Sequence, residues 1–121
     1  MKVAVTSQGM DLASQVDPRF GRAKYFVLVD TDTGTFTAHD NRQNLNAAQG
    51  AGIQAGRNVV ELGAEAVITG NVGPKAFTTL QGGGTAANLL HDRQLVGTLL
   101  LALPAFDAVF HGLSRTFYPR L

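Results

Sequence analysis

Two arginines bracket a phenylalanine–glycine pair in the stretch DPRFGRAKYF, residues 17–26. Arg19 and Arg22 lie in a polar segment before an apolar run, and Arg42 lies in a later polar segment. A guanidinium group carries five N–H donors and a permanent positive charge, which suits it to binding anions. Loop arginines are also commonly solvated and hold no ligand. The pattern therefore leaves open both an anion-facing surface and a set of solvated charges.

Glycine is concentrated at two points where a loop is predicted to enter a helix, GAGIQAG from residue 50 and GNVGP from residue 70. A helix start presents backbone N–H groups without intrahelical acceptors and a partial positive charge, and glycine lets a ligand approach the backbone. Tight turns and close packing would also explain these glycines. Neither stretch matches the dinucleotide fingerprint or the phosphate loop. If both starts lie at one sheet edge, they form an anion site whose candidate residues are Gly50, Ala51, Gly52, Ile53, Asn71, Val72 and Gly73.

The amino-acid composition excludes several kinds of binding site and catalysis. The 121 residues include ten Lys plus Arg, nine Asp plus Glu and no cysteine. This charge balance argues against a general nucleic-acid binder. Without cysteine, the chain cannot supply disulfides, zinc thiolates or thiolate ligands to iron–sulfur clusters. No serine lies in a nucleophile elbow, and the carboxylates show no clustering typical of paired catalytic metals. Direct metal ligation by the protein is therefore not expected.

The chain begins with MKVAVTS, a strand-like alternation unlike a signal peptide. Its longest apolar stretch, residues 95–110, is interrupted by Pro104 and Asp107 and is too short for a membrane span. We expect a cytoplasmic protein with one domain over residues 1–121.

Several elements must position these residues. Alternating or β-branched runs predict strands, and 3.6-residue periodicity predicts a helix from Ala51, with Ile53, Val59, Val60 and Leu62 near one face and Gly63 as its cap. Pro74 suits the first turn of a second helix. The predicted strands are 2–7, 25–30, 35–38 and 66–69, and the second helix runs to residue 80. Because a helical crossover normally returns to a parallel strand, we expect a mixed α/β sheet with helical cover.

The last third of the chain has no clear pattern. Gly82, Gly83 and Gly84 indicate a flexible break, and residues 86–90 are compatible with the start of a helix. Residues 95–103 could form a buried strand or a helix, and Pro104 separates them from residues 105–110.

Four motifs in order resemble the dinitrogenase iron–molybdenum cofactor-binding family. They are MKVAVTS, DPRFGRAKYFVLVD, N-x-A-A-x-GAGIQAG and AVITGNVGPKAF, which together cover residues 1 to about 80. From Gln81 the chain departs from the family's usual short strand and alanine-rich acidic helix. A divergent tail and a reading-frame difference would both produce that departure.

The resemblance implies a ribonuclease-H-like mixed sheet flanked by helices and no enzymatic turnover. Family members carry or help assemble molybdenum-containing metal–sulfide clusters, including an anionic molybdenum–copper sulfide cluster held by non-covalent contacts. Such a cluster needs N–H donors, positive charge and apolar contacts, because sulfide already saturates its metals. The resemblance thus favours an anion-facing role for Arg19, Arg22 and Arg42, and it adds Phe20 to the candidate residues.

Three alternatives remain open from the sequence. The first is a carrier or chaperone in assembly of an iron–molybdenum cofactor or its precursor, which would use the same site. The second is a phosphate-ester hydrolase or nuclease, which clustered carboxylates at strand ends would favour. The third is a partner-binding module whose interface is the apolar tail.

Overall fold

A computed structural model of the chain describes residues 1–44, 50–89 and 96. Within these residues a five-stranded mixed sheet has the strand order β3-β2-β1-β4-β5. The strands are β1 (Lys2–Ser7), β2 (Tyr25–Asp30), β3 (Phe36–Asp40), β4 (Ala66–Thr69) and β5 (Ala86–Leu89). The helices are α1 (Ala51–Glu61) and α2 (Pro74–Gly82), and a 3₁₀ turn spans Arg42–Asn44. The predicted mixed sheet with helical cover is confirmed.

Strands β1, β3 and β4 run in the same direction, because β2 is antiparallel to both β1 and β3 while β4 is parallel to β1. The segments that follow these three strands therefore leave the sheet at the same edge. They are the loop that contains Arg19 and Arg22, the segment that leads to α1, and the glycine-rich turn before α2.

Both faces of the inner strands β1 and β4 are buried, which explains the nearly continuous apolar character of these strands. On β1, Val3 and Val5 face one cluster together with Val27 and Val29 of β2. Ala4 faces the other cluster, into which α1 and α2 also pack. Among the described residues, no helix has the length and apolar character needed to cross a membrane.

The buried face of α1 differs from the predicted one. Ala51, Ala55, Gly56 and Val59 are buried, whereas the predicted Ile53, Val60 and Leu62 are only partly so. The reason is the close approach of α2. A Cβ placed on Gly56 would lie 3.0 Å from the Thr79 Cγ2 atom, so small residues form the contact.

Two predictions on the strands were wrong. β3 runs over Phe36–Asp40 instead of 35–38, since its ladder with β2 continues to the pair Tyr25↔Asp40 despite the polar His39. Residues 86–89 form β5, parallel to β4, instead of starting a helix. Pairing with β4 outweighs the helix propensity of the two alanines, since tertiary context commonly overrides local propensity.

The glycine break also begins later than predicted, since α2 continues through Gly82 and the left-handed backbone conformation falls at Gly84. The predictions for residues 95–103 and 105–110 lie outside the described residues, except for Val96. That side chain is buried in the cluster with Val3 and Val5.

Candidate functional site

The segment of residues 17–22, here called the arginine loop, is anchored to the end of β1. The Asp17 N–H donates to the Thr6 carbonyl oxygen over 2.8 Å, and the Thr6 hydroxyl donates to the Asp17 carbonyl oxygen over 2.6 Å. The Asp17 side chain is fully buried. It receives hydrogen bonds from the Arg19 backbone N–H and from the Arg19 guanidinium, at 2.9–3.3 Å.

Contacts of Phe20 and Gly21 hold the rest of the arginine loop in place. The Phe20 ring is buried and lies 5.6 Å from the Phe26 ring, centroid to centroid. The Phe20 N–H donates to the Asn71 carbonyl oxygen over 3.2 Å, which ties the loop to the turn before α2. The fully buried Asn41 side chain donates through Nδ2 to the carbonyl oxygens of Gly21 and Ala23. The loop backbone is therefore held from three sides.

Arg19 and Arg42, both predicted to face an anion, each have a carboxylate partner in the structure. The Arg19 guanidinium is paired with Asp17, and this hydrogen bond raises the Arg19 pKa. The Arg42 guanidinium pairs with Asp40 at 2.8 Å and lies 5.5 Å from the centroid of the Tyr25 ring. Its hydrogen bonds lower the pKa of the Asp40 carboxyl. Arg22 is half-buried.

The starts of α1 and α2 both lack a side-chain cap, since the cap residues are Gly50 and Gly73. In α1 the first intrahelical bond runs from the Gln54 N–H to the Gly50 oxygen, at 3.0 Å. In α2 it runs from the Phe77 N–H to the Gly73 oxygen, at 2.9 Å. Earlier N–H groups in each helix have no acceptor within that helix. Those of Gly52, Ile53, Lys75 and Ala76 belong to this set.

The arginine loop and the two helix starts line an open cavity of about 510 Å³. Every described residue on its wall comes from one of these three segments. The lining residues are Phe20, Gly21, Gly50, Gly52, Ile53, Gly73, Pro74, Lys75 and Ala76. The lining residues thus include apolar side chains, residues of two uncapped helix starts and one lysine.

The structure brings some of the predicted site residues together and leaves others apart. Phe20, Gly50, Gly52, Ile53 and Gly73 line the cavity, whereas the other six predicted residues are not among its lining residues. Those six are Arg19, Arg22, Arg42, Ala51, Asn71 and Val72.

The residues outside the cavity wall have other contacts. Ala51 and Val72 are buried apolar side chains, and the Asn71 carbonyl oxygen accepts a hydrogen bond from the arginine loop.

Four further lining residues were not predicted from the sequence. They are Gly21, Pro74, Ala76 and Lys75. For Lys75 a signal was present, since a cation in the first turn of a helix is unusual.

Gly21 and Gly52 allow two backbones to approach each other. A Cβ on Gly21 would lie 2.9 Å from both the Cα and the N atom of Gly52. A Cβ on Gly52 would lie 3.2 Å from the Ala76 Cβ. These two glycines therefore have a packing role whether or not a ligand binds.

Gly73 is different. Its φ of −73° and ψ of 164° are open to any residue, and a Cβ placed there would meet no atom within 4 Å. Neither backbone conformation nor packing requires glycine at this position. A side chain added at Gly73 would therefore occupy open space at the cavity wall.

We expect Arg19→Ala to destabilise the fold measurably. The change would leave the buried Asp17 carboxylate with fewer donors, at a cost of about 1–3 kcal/mol in the free energy of unfolding. Arg42→Ala is the matched control, because both members of its ion pair are about half exposed and such pairs contribute little. Urea unfolding followed by circular dichroism compares the two variants. Equal midpoints and slopes would show that the Asp17–Arg19 pair does not hold the arginine loop.

A second cavity, of about 430 Å³, lies between α1 and the end of β3. His39, Asp40 and Glu61 are among its lining residues. The His39 Nε2 atom is hydrogen-bonded to the Thr37 hydroxyl at 2.8 Å. Within residues 1–44, 50–89 and 96, no three His, Asp or Glu side chains converge in a metal-binding group. The carboxylate cluster that would favour a hydrolase is thus not found in the described part of the chain.

Residues 1–98 match the family described as dinitrogenase iron-molybdenum cofactor. The match continues past residue 80, where the quoted motifs end. A curated protein of Methanocaldococcus jannaschii without an assigned function is 27% identical over 70 residues. That alignment spans 56% of this chain and 59% of the curated protein.

Two solved structures are similar over most of their length. The apo form of the orange protein from Desulfovibrio gigas has a TM-score of 0.77 and 37% identity, covering 87% of this chain and 88% of that one. An NMR structure from Thermotoga, provisionally described as a NifB protein of the DUF35 family, has a TM-score of 0.73 and 34% identity. It covers 86% of this chain and 87% of the Thermotoga chain.

Proposed function

Because the chain belongs to the dinitrogenase iron–molybdenum cofactor family, we propose that it binds an anionic molybdenum-containing metal–sulfide cluster without catalysing a reaction. The binding site is the 510 Å³ cavity between the arginine loop and the starts of α1 and α2. The cluster is of the molybdenum–copper sulfide type, held by non-covalent contacts in a cytoplasmic protein.

The observation that carries this proposal is the pair of uncapped helix starts at one cavity. Their N–H groups and the positive ends of two helix dipoles favour an anion. Sulfide ligands already saturate the metals of a preassembled cluster, so the protein need not supply thiolate or imidazole. Phe20, Ile53 and Pro74 offer the apolar contact that soft sulfide surfaces accept.

The cavity size suits a compact ligand. About 510 Å³ lies within the range of roughly 300–1,000 Å³ that is typical of small-molecule sites. The open space at Gly73 lets such a ligand reach the backbone of α2. The donor set, the apolar wall and the volume therefore all fit a small sulfide anion.

A second function uses the same site. The 34% identity to the Thermotoga protein provisionally described as NifB favours a carrier in the assembly of an iron–molybdenum cofactor. In that case the cavity would hold an iron-containing cluster or precursor and release it to a partner. The two functions differ in the metal that accompanies molybdenum and in whether the cluster is transferred.

We expect protein purified from its native host to be coloured. Elemental analysis should find molybdenum and sulfide, together with copper for the first function or iron for the second. Recombinant protein made without cluster precursors should be colourless and show the same circular dichroism, since the described core is formed by apolar packing. Colourless native protein that contains no molybdenum would contradict both functions.

A further inference from the structure

Lys75 stands out among the described residues that line the cavity, because it is the one with a charged side chain. It is exposed and lies next to Pro74, the first residue of α2. The backbone N–H groups around it supply partial charges, whereas the Lys75 ammonium supplies a full one.

The positive charge of Lys75 is unfavourable for the stability of α2, because it lies in the first turn of that helix. The N-terminal end of a helix dipole is positive, so acidic residues are favoured in the first turn and cations are disfavoured. Neither α1 nor α2 has an acidic residue in its first turn. Natural proteins break local stability rules of this kind mainly at functional sites and offset the cost elsewhere in the fold.

We propose that Lys75 determines the charge specificity of the cavity, by attracting and orienting a compact polyanion through its ammonium group. The inference rests on the proposed function, since it concerns the same cavity. An ammonium group is a compact point charge with three rotatable donors on a flexible stem. It therefore suits a rounded sulfide anion that presents acceptors in several directions, whereas the planar fork of arginine suits carboxylates.

The experiment titrates the apoprotein with tetrathiomolybdate, a mononuclear molybdenum–sulfide dianion, at low and high salt. Loss of one charged contact in Lys75→Gln should weaken binding on the order of tenfold at low salt, and screening should reduce the difference at high salt. Lys75→Arg should restore most of the affinity. Lys24→Gln is the matched control, since Lys24 is also exposed but does not line the cavity.

A second measurement separates this role from a structural one. Lys75→Glu removes the unfavourable cation from the start of α2 and adds a favourable anion there. It should raise the Tm of the apoprotein by roughly 1–4 °C while reducing tetrathiomolybdate binding. Opposite changes in stability and binding are not expected for a residue that only supports the fold.

The outcomes are distinguishable. A wild-type protein that does not bind tetrathiomolybdate would overturn the proposed function, and the role of Lys75 with it. Wild-type binding that Lys75→Gln leaves unchanged at both salt concentrations would overturn the role of Lys75 alone. A lower apoprotein Tm in Lys75→Glu would show that the ammonium stabilises α2, which contradicts the inference.

Discussion

Gly73→Thr should reduce the affinity for tetrathiomolybdate on the order of a hundredfold while the protein remains folded. The branched side chain would fill the open space at the cavity wall and separate the ligand from the first-turn N–H groups of α2. A hydrogen bond to an anion contributes about 1.5–3 kcal/mol, and a hundredfold change in affinity corresponds to about 2.7 kcal/mol, so the loss of one strong or two weak hydrogen bonds accounts for a change of this size. Isothermal titration or the visible absorption of the bound anion measures it.

Stability should hardly change in Gly73→Thr. Threonine and glycine are similarly favourable as N-cap residues, and the φ and ψ angles of Gly73 suit threonine. Gly82→Thr is the matched control, because a Cβ there also meets no atom within 4 Å but Gly82 is not among the cavity-lining residues. If Gly73→Thr folds and binds as well as Gly82→Thr, the ligand does not approach the start of α2.

Gly21→Ala should destabilise the fold and weaken ligand binding together. The added Cβ would meet backbone atoms of Gly52 at 2.9 Å, and backbone atoms cannot move aside as a flexible side chain can. Overpacking of this kind costs about 1–3 kcal/mol in the free energy of unfolding. The arginine loop would have to move away from α1, so tetrathiomolybdate binding should fall as well.

Thermal and urea unfolding measure the effect of Gly21→Ala, with Gly82→Ala as the control. That control adds the same methyl group in a helix, where alanine is preferred to glycine by up to about 1 kcal/mol. It should therefore be at least as stable as the wild type. Equal stability of the two variants would mean that the loop–helix contact is not tightly packed.

Local sequence patterns were sufficient to predict the elements whose residues have a strong intrinsic preference for strand or for the start of a helix. The alternating valines of β1, the β-branched and aromatic run of β2 and the proline that opens α2 all act within a few residues. β5 was missed because its alanines and asparagine have little strand preference, and the ladder with β4 supplies the missing stabilisation. The buried face of α1 was misjudged because close packing on α2 favours small residues over large ones.

Some features of the candidate site could likewise be predicted from the sequence, whereas others depend on the fold. The amino-acid sequence alone showed that the chain has no cysteine to ligate a metal, and it was sufficient to predict that two glycine-rich segments enter helices and that four motifs point to one family. Residue spacing does not show which distant segments meet. The shared direction of β1, β3 and β4 brings the arginine loop and the starts of α1 and α2 to one cavity, and it places Lys75 among the lining residues. Arg19 and Arg42 instead pair with Asp17 and Asp40, each only two residues earlier in the chain, because the local backbone conformation brings each guanidinium to its neighbouring carboxylate.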